Sequence, residues 1–453
     1  MASIPQELVD MIIDGLRNNR ESLQACALAS RAFYPRANAL LFEGIRFRAS
    51  RKRFDAFRDL CHQNPGLASL VKSLHITHRR ENTGGWLSET LRNVSALTLD
   101  HMSLPGCTLL PSFDQLSTLR LIAVKLPRVS QAHELFKSVP RLNCLVLQSI
   151  SLPEREDFAP SESLPAVSEH YLDDADCIHP RELVLQQDHT LLQGSSAFAY
   201  RSRAYGVSFS RLEQLTFEGV YNAYDYRALE ELVGTAAESL VSLDMSFAYE
   251  VFGVKPGLSP TNFIHIPRVR HIDFALKDYS RLSFRPVSVL EWWLGNLEQL
   301  PHPSPIETIT ISLIVDPRHS QICASRSHPI WKALDTFLQS PCAPDFQWLR
   351  FSIQAHYVCS QDALAVIKEV LLDYFPSLRK REKLVITIKP KARGYRNVGP
   401  AHRVGRDQKI NFQGEFLRIY DIAMLTANEW CCEFTLLTGH DDVNTSYSSD
   451  FAI

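Results

Sequence analysis

The sequence predicts an α/β solenoid: a parallel sheet whose strands follow one another in chain order, each returned by a loop or a helix. Three observations predict it. One short pattern, apolar-x-x-apolar-x-x-apolar-x-apolar, recurs from about residue 70 to about residue 390. Its closing apolar-x-apolar pair is a strand signature, because alternate side chains of a strand face the same way. Between the copies lie stretches with apolar residues at helical spacing.

In chain order, a helical module comes first. Pro5 suits a helix start, since its missing N–H would be an orphan donor there. Leu8, Ile12 and Leu16 fall on one face, with Val9 and Ile13 beside them. Asn18-Asn19-Arg20 breaks the pattern. A second helix carries Leu23, Cys26, Ala27 and Ser30. A third starts at Pro35 and presents Ala39, Leu40 and Phe42. Three helices this short need a partner or a neighbouring domain to cover them.

The strand pairs then begin at Leu74, Leu97, Leu119, Leu145, Leu183, Leu215, Leu243, Ile272, Ile309, Leu349 and Leu384, so successive copies are 22 to 40 residues apart. Helices are predicted over 131–138, 226–233, 287–297, 330–338 and 363–375. A strand, a return and the next strand give a right-handed parallel coil. An ordinary α/β domain with a parallel sheet is the rival architecture. Residues 153–180 hold eight acids against Arg155 and read as a solvated insertion. Residues 389–409 hold seven cations against Asp407, with Gly394, Gly399 and Gly405. Residues 415–430 resume a helical period and read as a cap on the open end of the coil. The last ten or so residues read as a frayed tail.

Composition narrows the classes. Of 453 residues, 45% are hydrophobic and 22% charged, with a net charge of −2. That is a globular composition without the basic field that drives nucleic-acid or membrane binding. Glu7, Asp10 and Asp14 argue against a secretory leader. No stretch approaches the ~20 apolar residues of a spanning helix. The ten cysteines are scattered without a Cys-x-x-Cys, which predicts reduced thiols in cytosol or nucleus.

Two runs resemble known families. Ile4-Pro5-x-Glu7-Leu8, then Cys26-Ala27-Leu28-Ala29-Ser30-Arg31-Ala32-Phe33, then Leu41-Phe42, resemble an F-box, particularly that of fungal F-box proteins. Ile4, Ala29 and Phe33 stand where that family commonly has Leu, Val and Trp. The resemblance implies docking on the Skp-type linker of a cullin-RING ubiquitin ligase. It places the contacts on Ile4, Pro5, Leu8, Ile12, Leu23, Cys26, Ser30, Arg31 and Phe33. The shorter repeat spacings match leucine-rich repeats of ~20–29 residues, although the consensus Asn or Cys after the strand is mostly missing. The chain thus divides into an F-box at 1–48, an irregular leucine-rich-repeat-like solenoid at 49–390, and a basic loop with helical cap at 391–453.

Catalytic motifs are absent from the sequence: no phosphate-binding Gly-rich loop, no nucleophile elbow, no His-Glu-x-x-His. His75 and His78 form a two-imidazole pair without a third ligand nearby. His440-Asp441-Asp442 is a weaker metal signal, and Cys431-Cys432 reads as two core thiols. The cations of 389–409, with Tyr395 and Phe412, are a nucleic-acid reading that a solvated loop explains as well. The sequence therefore predicts a non-catalytic substrate receptor of an SCF-type ligase, without cofactor or metal. The alternative is a scaffold that binds the linker without ubiquitin transfer. In a leucine-rich-repeat solenoid, the residue between the two core positions and the one after them face the concave side. Among them Arg120, Gln148, Glu218, Asp244, Asp273 and Arg350 are the candidate contacts to an unknown protein substrate.

Overall fold

The computed structural model describes residues 4–47, 51–77, 90–102, 113–125, 129–151, 177–186, 198, 202–220, 223–247, 263–278, 286–315, 328–355 and 361–389. It is an α/β fold with eleven helices among these residues and one sheet of twelve strands. The strands pair in sequence order, β1 to β12, and every pairing is parallel. That order excludes the rival architecture, in which crossovers permute the strands. The described residues all fall within one compact unit.

Three helices open the chain: α1 (Gln6–Gly15), α2 (Arg20–Ala29) and α3 (Tyr34–Glu43). The Asn19 side chain caps α2 by accepting from the Ser22 N–H at 3.0 Å. Val9, Ile13, Leu23, Ala27, Ala37 and Leu41 are the buried residues between them. No linker separates these helices from the sheet. Strand β1 (Gly44–Phe47) begins at the residue after α3 and pairs with β2 (Ser73–Thr77). The Glu43 carboxylate reaches Arg17 at 3.0 Å and Lys72 at 3.5 Å. Helices α4 (Arg51–Gln63) and α5 (Pro65–Leu70) join β1 to β2. The first strand of the sheet thus lies within residues 1–48.

The remaining strands are β3 (Ala96–Asp100), β4 (Thr118–Ile122), β5 (Cys144–Gln148), β6 (Glu182–Gln186), β7 (Gln214–Val220), β8 (Ser242–Phe247), β9 (His271–Asp278), β10 (Thr308–Val315), β11 (Trp348–Ala355) and β12 (Leu384–Ile388). Their core positions form two unbroken ladders. One runs Ile45, Leu74, Leu97, Leu119, Leu145, Leu183, Leu215, Leu243, Ile272, Ile309, Leu349, Leu384. The second lies two residues later on each strand, from Phe47 to Ile386. From β2 to β11 every member of both ladders is buried. Leu384, Ile386 and Ile388 of β12, the last strand of the sheet, are only half-buried.

A second regularity fixes the strand starts. The carbonyl just before a strand accepts two N–H groups from the start of the next strand. Lys72, Ser95, Ser117, Asn143, Arg181, Glu213, Val241, Arg270 and Glu307 all do this, at 2.7 to 3.2 Å. The buried ladders pack on helices α6 (Val129–Lys137), α7 (Ala223–Thr235), α8 (Pro286–Glu298), α9 (Pro329–Phe337), α10 (Gln361–Tyr374) and α11 (Pro376–Lys380). Phe274 stacks on Trp293 at 5.1 Å, and Phe351 meets Phe375 at 5.5 Å. Asp335, buried at the end of α9, accepts from the Ser377 and Leu378 N–H groups at 3.3 and 3.1 Å. It caps α11 from another helix, satisfying donors that have no intrahelical partner.

Only the end of the acidic insertion falls among the described residues. Residues 152–176 lie outside the described residues, but Cys177 and Ile178 are buried. The Ile178 N–H donates to the Gly206 carbonyl at 2.9 Å. The basic stretch, helical cap and tail predicted beyond Lys389 lie outside the described residues.

Candidate functional site

Two surfaces collect the sequence-predicted residues, one on the N-terminal helices and one on the sheet. On the first, Ile4, Leu8 and Ile12 are 67%, 50% and 64% exposed. Pro5 and Arg31 are also exposed, while Cys26, Ser30 and Phe33 are half-buried. Leu23 departs from the expectation. It is packed inside the three-helix group, so it supports the surface from below. The inward face of α1 is Val9 and Ile13, not Leu8 and Ile12.

Two further apolar residues of the N-terminal helices are exposed. Met11 is 69% exposed and Leu28 75%. Met11 stands three residues from Leu8 on α1, and helical neighbours at that spacing share a face. The signal was available in the sequence. Helix α1 reads Leu8-Val9-Asp10-Met11-Ile12-Ile13, apolar on more than one face, and a helix with two apolar stripes can bury only one of them against a single neighbour. Tyr34, Val366 and Val385 are the other large apolar residues exposed among the described residues. The surface apolar side chains thus concentrate on α1 and α2. Single exposed apolar residues are ordinary on proteins, but a row of them on one helix face, here Leu8, Met11 and Ile12, marks an interaction surface.

The second surface is the sheet face opposite the helices. Here the residues between the two core ladders form their own line: Arg46, His75, Thr98, Arg120, Val146, Val184, Thr216, Asp244, Asp273, Thr310, Arg350 and Val385. Arg120, Asp244, Asp273 and Arg350 lie on this line. Gln148 and Glu218 lie on the next one, which runs Asp100, Ile122, Gln148, Gln186, Glu218, Ser246, Ala275, Ser312, Ser352.

The electrostatics of this face change along the sheet. Near its start, Arg46 Nε donates to His75 Nδ1 at 3.0 Å, and His75 Nε2 lies 3.3 Å from Asp100. His101 Nδ1 lies 2.6 Å from the same carboxylate. Burial alone would raise the Asp100 pKa, but hydrogen bonds from His101 and His75 outweigh it and hold the group below the usual carboxylate range. Both ring nitrogens of His75 are thus engaged, and its paired residue His78 lies outside the described residues. Farther along, β7 to β9 bring Glu218, Asp244 and Asp273 together. Burial pushes Asp244 up to about 6, with Glu218 adding to it. Burial pushes Asp273 up to about 6 as well; Asp244 adds to the shift and Lys389 opposes it. On β5, burial pushes the Cys144 thiol up to about 12, which keeps it protonated and unreactive at neutral pH.

Among the described residues, no group of three or more His, Cys, Asp or Glu side chains could hold a metal ion. No helix there is long and apolar enough to cross a membrane. The chain matches no protein-family model and no curated protein.

Proposed function

We propose that the chain is the substrate receptor of an SCF-type ubiquitin ligase, with α1–α3 docking on a Skp-type linker and the sheet face holding a target protein. The observation that carries this reading is the exposed apolar group Ile4, Leu8, Met11, Ile12 and Leu28. It falls within the stretch whose sequence resembles an F-box. On this reading the chain does no bond chemistry. It raises the local concentration of target lysines near the conjugating enzyme, the effective-concentration argument applied to a complex. The direct α3–β1 junction and the Glu43 ion pairs support the reading, because a receptor must hold target and linker at a fixed separation. Cytosol or nucleus is the compartment it requires.

Co-purification tests the reading. Leu8→Ala with Ile12→Ala should lower linker affinity by about 2 kcal/mol or more, as central apolar anchors do. Both side chains are exposed, so folding stability should change by less than about 0.5 kcal/mol. Unchanged linker binding by the double variant rejects the assignment. Recovery of linker without cullin would favour the scaffold alternative.

A further inference from the structure

The line of side chains on the open sheet face has a chemical order. Arg120 stands on β4, Val146 and Val184 on β5 and β6, Thr216 on β7, and Asp244 and Asp273 on β8 and β9. Glu218 lies beside Asp244 on the next line. Among the described residues, no hydrogen bond or ion pair engages Arg120, Glu218, Asp244 or Asp273. Elsewhere charges find partners: Arg17 with Glu43, Arg36 with Asp14, Arg181 with Glu213, Arg270 with Glu307. The open face therefore presents a cation and an anionic group, neither closed in an ion pair, separated by Val146, Val184 and Thr216 in one register, with Lys389 acting on Asp273 from β12's end. The side chains around the acids are short: Thr216, Ser246, Ala275, Thr310 and Ser312. Short side chains let another backbone approach the sheet.

We propose that the open face of β4 to β9 binds an extended segment of a target protein that reads acidic, apolar, basic, its acid over Arg120 and its base over Asp244 and Asp273. The proposal rests on the receptor reading only in calling the segment's owner a target. Charge complementarity fixes the two ends, since a like-charged arrangement would meet repulsion at both. The length follows from the sheet. Four strand steps separate Arg120 from Asp244, which is about 19 Å at ~4.8 Å per step. An extended chain covers that in about six residues at ~3.3 Å each. The carboxylates support the proposal through their environment, because two half-buried acids that repel one another gain most when a cation arrives.

Panning a phage library of random 12-residue peptides against the full-length chain tests this. Enriched peptides should place Lys or Arg about six residues from Asp or Glu, with apolar residues between. Fluorescence anisotropy with the most enriched peptide should then show Kd rising at least fivefold for Arg120→Gln, and likewise for Asp244→Asn with Asp273→Asn. Arg120→Glu should regain binding to the same peptide with its acid changed to Lys. Leu8→Ala with Ile12→Ala should leave the peptide Kd within twofold, so failure of linker docking is read separately from failure here. The Asn variants should melt no lower than the native chain, which separates lost binding from unfolding. No enrichment, a consensus without the two charges, or a Kd unmoved by the substitutions would overturn the proposal. So would self-association in light scattering that the same substitutions abolish, because the occupant would then be a second copy.

Discussion

The two ends of the sheet are built differently on one plan. Strands β2 to β6 are five residues each, whereas β9 to β11 are eight each. Between β2 and β7 the described layer behind the sheet is α6 plus a 3-10 turn at Ser202–Tyr205, with Phe136, Phe198 and Tyr205 filling the gap. From β9 onward a helix accompanies each return to the next strand, and aromatic pairs such as Trp331 on Tyr374, at 4.5 Å, join successive helices. The first half has one further regularity. His101, Ala123 and Ser149, just past β3, β4 and β5, have positive φ of 51°, 49° and 52°. Their N–H groups donate to the last carbonyl of the neighbouring strand. Yet the two core ladders and the doubly used carbonyl run through both halves. The repeat is therefore fixed at the strand start, while the length of the strand that follows is free to vary.

The largest expected effect tests whether the halves are one cooperative body. Leu119→Asp and Leu243→Asp each place an unpaired charge at a fully buried ladder position. Each should cost about 4 kcal/mol or more. In a solenoid the damage spreads through nearest neighbours. Hydrogen exchange should thus accelerate in β3 to β5 for the first variant and in β7 to β9 for the second. Equal acceleration across all twelve strands in both variants would erase the distinction between halves.

A smaller effect belongs to the thick half alone. Asp335→Ala removes the cap that ties α9 to α11 and leaves two N–H groups without their acceptor. A loss of about 2 kcal/mol is expected, read as a lower denaturant midpoint and faster exchange in α11 and β12. Unchanged protection there would mean that packing alone holds the last helix.

The smallest effect concerns pH. In the folded chain Asp244 and Asp273 keep their protons up to about 6, whereas unfolded aspartates release theirs near ~4. Their contribution is complete below the unfolded value and is lost as pH rises through about 6. Asp244→Asn with Asp273→Asn should therefore stabilise the fold by about 1 kcal/mol at pH 7.5, after allowance for solvent screening, and not at pH 4. Thermal melts at the two pH values check it. An equal gain at both would remove the charge from the explanation.

Most of the sheet was legible because its core positions are two residues apart on every strand and leucine-rich throughout. Strand β1 was not. It holds only Ile45 and Phe47 and follows a helix without a turn residue, so it read as the end of the helical module. Helix α4 was missed although Phe54, Phe57, Leu60 and Cys61 keep helical spacing, because Arg51, Lys52, Arg53 and Arg58 dilute the apolar signal. On the first surface, the resemblance placed Leu8 and Ile12 among the outward contacts, and both are exposed; it did not give which α2 residues pack inward. Leu23 shows that limit. On the second, each facing residue could be named, but not the adjacency of Asp244 and Asp273. That adjacency depends on the register of two strands joined by residues 248–270, of which 248–262 lie outside the described residues.

The carbonyl that serves two donors gives the coil something like the pitch of a screw thread. Within a return, added residues change only how far the chain wanders before coming back. At the strand start there is no such slack, because one extra residue would move both donors off their shared acceptor and turn each following core side chain to the opposite face. New sequence can thus enter this protein by lengthening its returns, as the uneven spacing of 22 to 40 residues records, but not by slipping a thread. A loop graft for altering recognition should begin after the strand's last ladder residue and end before the next shared carbonyl.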